Sequence, residues 1–158
     1  MKKIKILILS LVAVAFFSCE PTYVKEYNWA YPVAGDWTVN VYVDGVLAFG
    51  PYEIKTYNSS FGKDSIWIDD YQHLWPMKFK AFVDMNAKTF KTDSVRNAFS
   101  SKKARVVVAN GKIVNNDSIY FEARFEDDTD AANKPLPWGT TYQIAGHRLT
   151  SYEEYMQQ

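Results

Sequence analysis

From Gly35 onward the chain alternates apolar and polar residues, and a period of two confines that stretch to β-structure. Trp37, Val39, Val41 and Val43 share one parity with Thr38 and Asn40 on the other, and Asp44-Gly45 then predicts a tight hairpin turn. Met77, Phe79, Ala81 and Val83 alternate with Lys78 and Lys80, followed by a turn at Asn86-Ala87. Ile119, Phe121, Ala123 and Phe125 alternate with Ser118, Glu122 and Arg124. Further strands are expected from Tyr52 to Tyr57, Ser65 to Asp69, Lys88 to Asp93, Ala104 to Ala109 before a turn at Asn110-Gly111, and Tyr142 to Leu149. About eight short strands joined by turns describe a sandwich or an up-and-down barrel. Helix is expected only from Ser151 to Gln157, with Ser151 as its cap and Glu154 three residues on.

The residues before this pattern read differently. Lys2, Lys3 and Lys5 precede an apolar stretch from Ile6 to Phe17, then Ser18 and Cys19, which is the layout of a signal peptide. The apolar stretch is shorter than the ~20 residues a spanning helix needs. Phe16-Phe17-Ser18-Cys19 resembles a lipobox, with a small residue before the cysteine but without the usual Leu at the first position and small residue at the second. Cys19 is the chain's one cysteine, so no internal disulfide can form, and lipidation is the expected use of its thiol. Each buried acyl methylene contributes roughly 0.8 kcal/mol, and stable anchoring takes more than one chain. The expected organisation is a signal peptide over 1–18, a lipidated tether over 19–34, a β-domain over 35–150 and a short tail over 151–158. The expected location is the bacterial cell envelope, as an outer-membrane lipoprotein on a side the sequence does not specify.

Removing the signal peptide leaves about 140 residues, one domain's worth of chain that can bury a core without metal or staple. Lys plus Arg and Asp plus Glu number 18 each, and discarding the three N-terminal lysines leaves the mature part slightly acidic. Nucleic acid is therefore not an expected partner. Aromatic residues reach 16%, which suits both β-sheet and the binding of flat or apolar ligands.

Gly35-Asp36-Trp37 opens the first strand and Arg148 lies at the end of the last. This resembles the Gly-x-Trp and late Arg of lipocalin and calycin barrels, a resemblance that implies that Trp37 closes the barrel floor and Arg148 stacks on it. Trp37 lies on the apolar side of its strand, and Arg148 shares the parity of Tyr142 and Ile144. Together with Tyr57-Asn58-Ser59-Ser60, Asp64 to Asp69 and Gly146-His147-Arg148, the chain resembles a bacterial lipoprotein family of lipid-binding putative hydrolases. The resemblance implies an all-β, antiparallel, calycin-like barrel of about eight strands and an apolar ligand. It brings no catalytic residues that map onto this chain.

If the apolar stripes face inward, Val39, Val41, Tyr52, Ile54, Phe79, Val83, Phe90, Phe121, Phe125, Tyr142 and Ile144 line the interior. An eight-stranded barrel is just wide enough to be filled by such side chains or to hold one small ligand, so this set describes a core and a lipid pocket equally well. The candidate ligand contacts are Tyr52, Phe79, Phe90, Phe121, Phe125 and Tyr142, with Trp138 as a lid on the long segment from Asp127 to Gly139. The expected partner is a small apolar molecule or lipid, alongside the membrane itself. No cofactor or metal site is expected: Glu126 to Asp130 is the densest acidic run but lacks the Gly and terminal Glu of a calcium-binding loop, and reads as a solvated surface.

Enzymatic chemistry has few residues to draw on. Only His73 and His147 are present, there is no Gly-x-Ser-x-Gly elbow, and Asp69-Asp70 and Asp84 are acids that read as solvated loop residues. An alternative to lipid binding is a glycan- or protein-interaction module in the envelope, using Trp67, Trp75 and Trp138 as surface aromatics. A hydrolase of unspecified substrate comes third. Asp-Ser recurs before an apolar residue at Asp64, Asp93 and Asp117, which reads as turn chemistry or as acceptor sites for O-glycosylation.

Overall fold

The computed structural model describes residues 28–60, 62–73 and 75–149; the expected signal peptide over 1–18, Cys19 and the expected helical tail over 151–158 lie outside the described residues. Eight strands follow one another: β1 (Gly35–Val43), β2 (Val46–Asn58), β3 (Ser65–Asp69), β4 (Lys78–Asp84), β5 (Thr89–Arg96), β6 (Arg105–Val114), β7 (Ser118–Phe125) and β8 (Tyr142–Arg148). Each pairs antiparallel with the next, and β8 returns to β1 from Trp37↔Arg148 to Val43↔Tyr142, closing an up-and-down barrel. Closure removes the exposed sheet edge that an open sheet of this composition would present. Among the described residues there is no helix.

Alternation dictates the two faces. In β1 Trp37, Val39 and Val41 are buried while Thr38, Asn40 and Tyr42 between them are not. In β7 Ile119, Phe121, Ala123 and Phe125 are buried in the same way. Their neighbours in the core include Ile54, Ile66, Ile68, Phe79, Phe90, Val106, Val108, Tyr142 and Ile144. Full burial of each large side chain contributes roughly 1.5 to 3 kcal/mol, enough in sum to hold a domain without cross-links.

Asp44 and Gly45 both take positive φ, 50° and 76°, as a two-residue hairpin of the strand-matching type requires. The turn expected at Asn110-Gly111 is not a turn. β6 runs through it, and the register shift between Ala109 and Lys112 makes it a bulge, with Asn110 at a φ of 54°. A Cβ on Gly111 would strike the Phe90 backbone of β5, so the dipeptide that resembles a turn signal serves close strand approach instead. The β6–β7 reversal falls at Asn115 and Asn116, which tolerate φ of 52° and 58°.

β2 begins six residues before the expected Tyr52, because its first part lies beyond the barrel, where no core imposes alternation. Val46 to Pro51 are all exposed.

The up-and-down order gives the barrel two ends. One, the floor, holds Gly35, Arg148 and the β2–β3, β4–β5 and β6–β7 connections. The other, the mouth, holds the β1–β2 hairpin and the loops 70–77, 97–104 and 126–141. Of the tether expected over 19–34, residues 28–34 are among those described, and they belong to the folded domain. Residues 28–34 turn beneath the floor, with Ala30 and Val33 buried in the core, and the Ala34 N–H donates to the Ala30 carbonyl at 2.8 Å.

Candidate ligand-binding interior

The floor is sealed by side chains that meet across the β1–β8 seam. The Arg148 Cζ lies 4.4 Å from the Trp37 ring centroid. Its Nη1 donates to the Ala34 carbonyl and its Nε to the Asn116 carbonyl, both at 2.8 Å. A Cβ on Gly35 would collide with the Arg148 guanidinium, which is why the tripeptide opens with glycine. Beneath, the Trp37 Nε1–H donates to Thr56 Oγ1 at 2.9 Å, and the Thr56 hydroxyl donates to the Val33 carbonyl at 2.7 Å. The inward polar Thr56 thus satisfies the indole without opening the core to water. It shares the parity of Ile54, the one sequence signal that pointed to it.

At the mouth, the ring of Trp75 enters an aromatic cluster. It stacks on Phe125 at 5.1 Å, meets Tyr142 edge-on at 4.6 Å and lies 6.1 Å from Phe49 of the protruding hairpin. The loop that carries it is built on Asp70, a fully buried carboxylate that accepts the backbone N–H groups of Gln72, Trp75 and Met77 at 2.9, 2.7 and 3.0 Å. Trp138, the expected lid, is half-buried on the loop after β7, held there by its N–H bond to the Phe125 carbonyl. Trp75 is the loop tryptophan whose ring joins the mouth cluster.

Three acids expected on the solvated surface are buried instead. Asp128 accepts the Tyr142 hydroxyl at 2.9 Å and the N–H groups of Thr129 and Thr140, tying the long loop to β8. Burial, reinforced by that carboxylate, pushes the Tyr142 phenol up to about 12. Asp69 receives the Lys78 ammonium at 2.8 Å, the Tyr57 hydroxyl at 3.0 Å and the Tyr71 N–H at 3.0 Å. Burial alone would raise the Asp69 carboxyl, but these donors outweigh it and hold the group below its usual range. Together with Asp70 these side chains are acceptors for neighbouring backbone and hydroxyl groups, satisfied in place.

Of the other sequence-selected residues, Phe79, Phe90, Phe121, Phe125 and Tyr142 point inward and are buried, and Tyr52 is half-buried. Phe90 and Phe121 touch at 5.7 Å between centroids. These rings pack on one another, with Phe79 and Phe121 fully inaccessible, so the interior is occupied by side chains. The largest concavity described, about 910 Å³, runs along β4 to β7, lined by outward side chains such as Phe82, Lys91, Lys112 and Tyr120 and, at its base, by Val83 and the inward Phe90. A second, about 290 Å³, reaches into the wall at Ala81 and Val95.

The two histidines lie apart, His73 exposed on the mouth loop and His147 exposed near the floor end of β8. The three candidate surface tryptophans do not form one platform, since Trp75 turns inward and Trp67 lies on the outer face under Lys80, 5.0 Å from its ring centroid. Asp64 and Asp117 immediately precede β3 and β7, and Asp93-Ser94 falls at a register shift in β5.

The profile of a family described as lipid-binding putative hydrolase matches residues 22–153, which spans every strand of the barrel. A search of curated proteins found no match.

Proposed function

The chain belongs to the family of lipid-binding putative hydrolases, and from that premise we propose that it is a lipid-anchored envelope protein that holds one small apolar or lipid molecule in the mouth half of its barrel. The observation that carries this reading is the aromatic closure of the mouth. Trp75 is borne on a loop, and the groups it covers, Phe125 and Tyr142, are inward-facing rings of the barrel wall. Withdrawal of that one side chain would vacate an apolar space above those rings without deforming the sheet.

Anchoring through Cys19 and residence in the outer membrane are part of the same proposal, supported by the basic, apolar and small residues that precede the cysteine. Cys19→Ser should abolish incorporation of an alkyne-tagged fatty acid and release the protein from the membrane fraction. Ligand binding is tested on the purified barrel by displacement of diphenylhexatriene with palmitic acid. Binding with one site per chain is expected, and its absence together with a lipid-free extract would end the reading.

A further inference from the structure

The barrel wall is not uniformly closed. The β4–β5 ladder consists of three pairs, Phe82↔Lys91, Val83↔Phe90 and Asp84↔Thr89, the shortest of the eight ladders. Toward the mouth the two strands diverge, and they are joined again only where the Lys78 N–H donates to the Asn97 side chain and the Ala98 N–H donates to the Lys78 carbonyl. β5 spends more residues than β4 between these points and absorbs them in a bulge, seen as the register shift between Thr92 and Val95. The 290 Å³ concavity sits over this divergence. It is lined by Asp64, Ser65 and the outward Lys80 and Phe82, and its base is formed by Ala81 and Val95, which belong to or pack against the core.

Thr92 stands at the inner end of the β5 bulge, three residues before Val95. It is 2% exposed, and its hydroxyl is the buried side-chain polar atom without a hydrogen-bond partner among the described residues. Pairing places it on one inter-strand row with Val108, Ala123 and Tyr142, in the layer below Trp75. An unsatisfied buried hydroxyl is costly to a fold, and a valine would fill the same volume without that cost.

We propose that the β4–β5 slot is a side opening of the ligand chamber, and that the Thr92 hydroxyl donates a hydrogen bond to the carbonyl oxygen of a bound fatty-acyl compound. The acyl chain lies inward beside Tyr142, and the head group leaves through the slot past Val95 toward Lys80. The floor is sealed by Trp37 and Arg148, so the weakly paired β4–β5 wall offers a passage beside the Trp75-gated mouth. This rests on the reading of the barrel as a lipid-binding chamber and names its ligand class and polar contact.

The test compares wild type, Thr92→Val and Val95→Phe for palmitic acid, methyl palmitate and diphenylhexatriene, a probe with no oxygen. Thr92→Val should weaken both acyl compounds about tenfold, as loss of one buried hydrogen bond does, while leaving the hydrocarbon unchanged and raising the melting temperature of the unliganded protein. Val95→Phe should slow acyl association several-fold, roughly in proportion to the narrowing of the slot. Weakening of the acid but not the ester would locate the recognised group in the carboxylate and overturn the carbonyl contact. Wild-type acyl binding with both variants unchanged overturns the slot alone. If wild type binds none of the three probes, the chamber itself is overturned.

Discussion

Arg148 lays its guanidinium on the Trp37 ring, 4.4 Å from the centroid, while bonding the carbonyls of Ala34 and Asn116. One side chain thereby joins the segment before β1, the β6–β7 turn and the last strand. Its stacking contributes ~0.5 to 2 kcal/mol, and each bond to a charged donor adds about as much again. Arg148→Ala should therefore destabilise the barrel by about 3 kcal/mol, and Arg148→Lys should recover only a minor part because an ammonium cannot stack and fork at once. Gly35→Ala, which drives a methyl into the guanidinium, should cost ~1 to 3 kcal/mol. Chemical denaturation of the three variants checks the order.

Asp70 organises the mouth loop through three backbone N–H groups. Asp70→Ala leaves those donors without their acceptor in a buried site, and a loss on the order of 3 kcal/mol is expected. Because the Trp75 N–H is one of the three, the change should also red-shift tryptophan emission as the ring leaves Phe125. Denaturation melts followed by fluorescence read both effects.

Trp75→Ala removes the mouth closure while keeping the loop's bonds to Asp70. A stability loss of ~1 to 3 kcal/mol is expected from the lost ring contacts. Exchange of a bound hydrocarbon dye should become faster, measured by stopped-flow displacement. Trp138→Ala, on the outer loop, should leave the exchange rate near that of wild type.

The Asp69 carboxyl is held below its ordinary value in the folded state. Its contribution is therefore complete above the unfolded value of about 4 and disappears as pH falls through the lower folded value. Asp69→Asn should flatten the acid limb of the stability profile.

Tyr142 behaves in the opposite sense, with its phenol raised to about 12 against an ordinary value of 10. The unfolded chain ionises first, so stability present below pH 10 is lost as pH rises to about 12, by roughly 2 to 3 kcal/mol. Tyr142→Phe should remove that alkaline loss, at the expense of the bond to Asp128 at neutral pH. Urea denaturation between pH 3 and 11 follows both limbs on one set of proteins.

Alternation in β1, β4 and β7 was enough to read those strands and their faces, because a strand buried on one side leaves a period of two that needs no knowledge of its neighbours; five weaker stretches between and after them brought the count to about eight. The positions of Trp37 and Arg148 at the two ends of the domain were equally legible, being carried by parity and a short motif. Asn110-Gly111 misled because a positive φ serves a bulge as well as a turn, and only the opposing Phe90 decides which. Asp69, Asp70 and Asp128 read as solvent-exposed since their charge disfavours burial, and the donors that reverse this come from residues up to 14 positions away. Trp75 and Trp138 could not be ranked from composition, as each stands in a loop beside proline. The alternating sequence determined by itself that this chain folds one-sided β-strands around an apolar core, while closure into a barrel was shown by the β1–β8 pairing. Which loop side chain covers the mouth, which acids are buried, and where the wall parts beside Thr92 were decided by the tertiary structure, because each depends on registers between strands that local pattern does not encode.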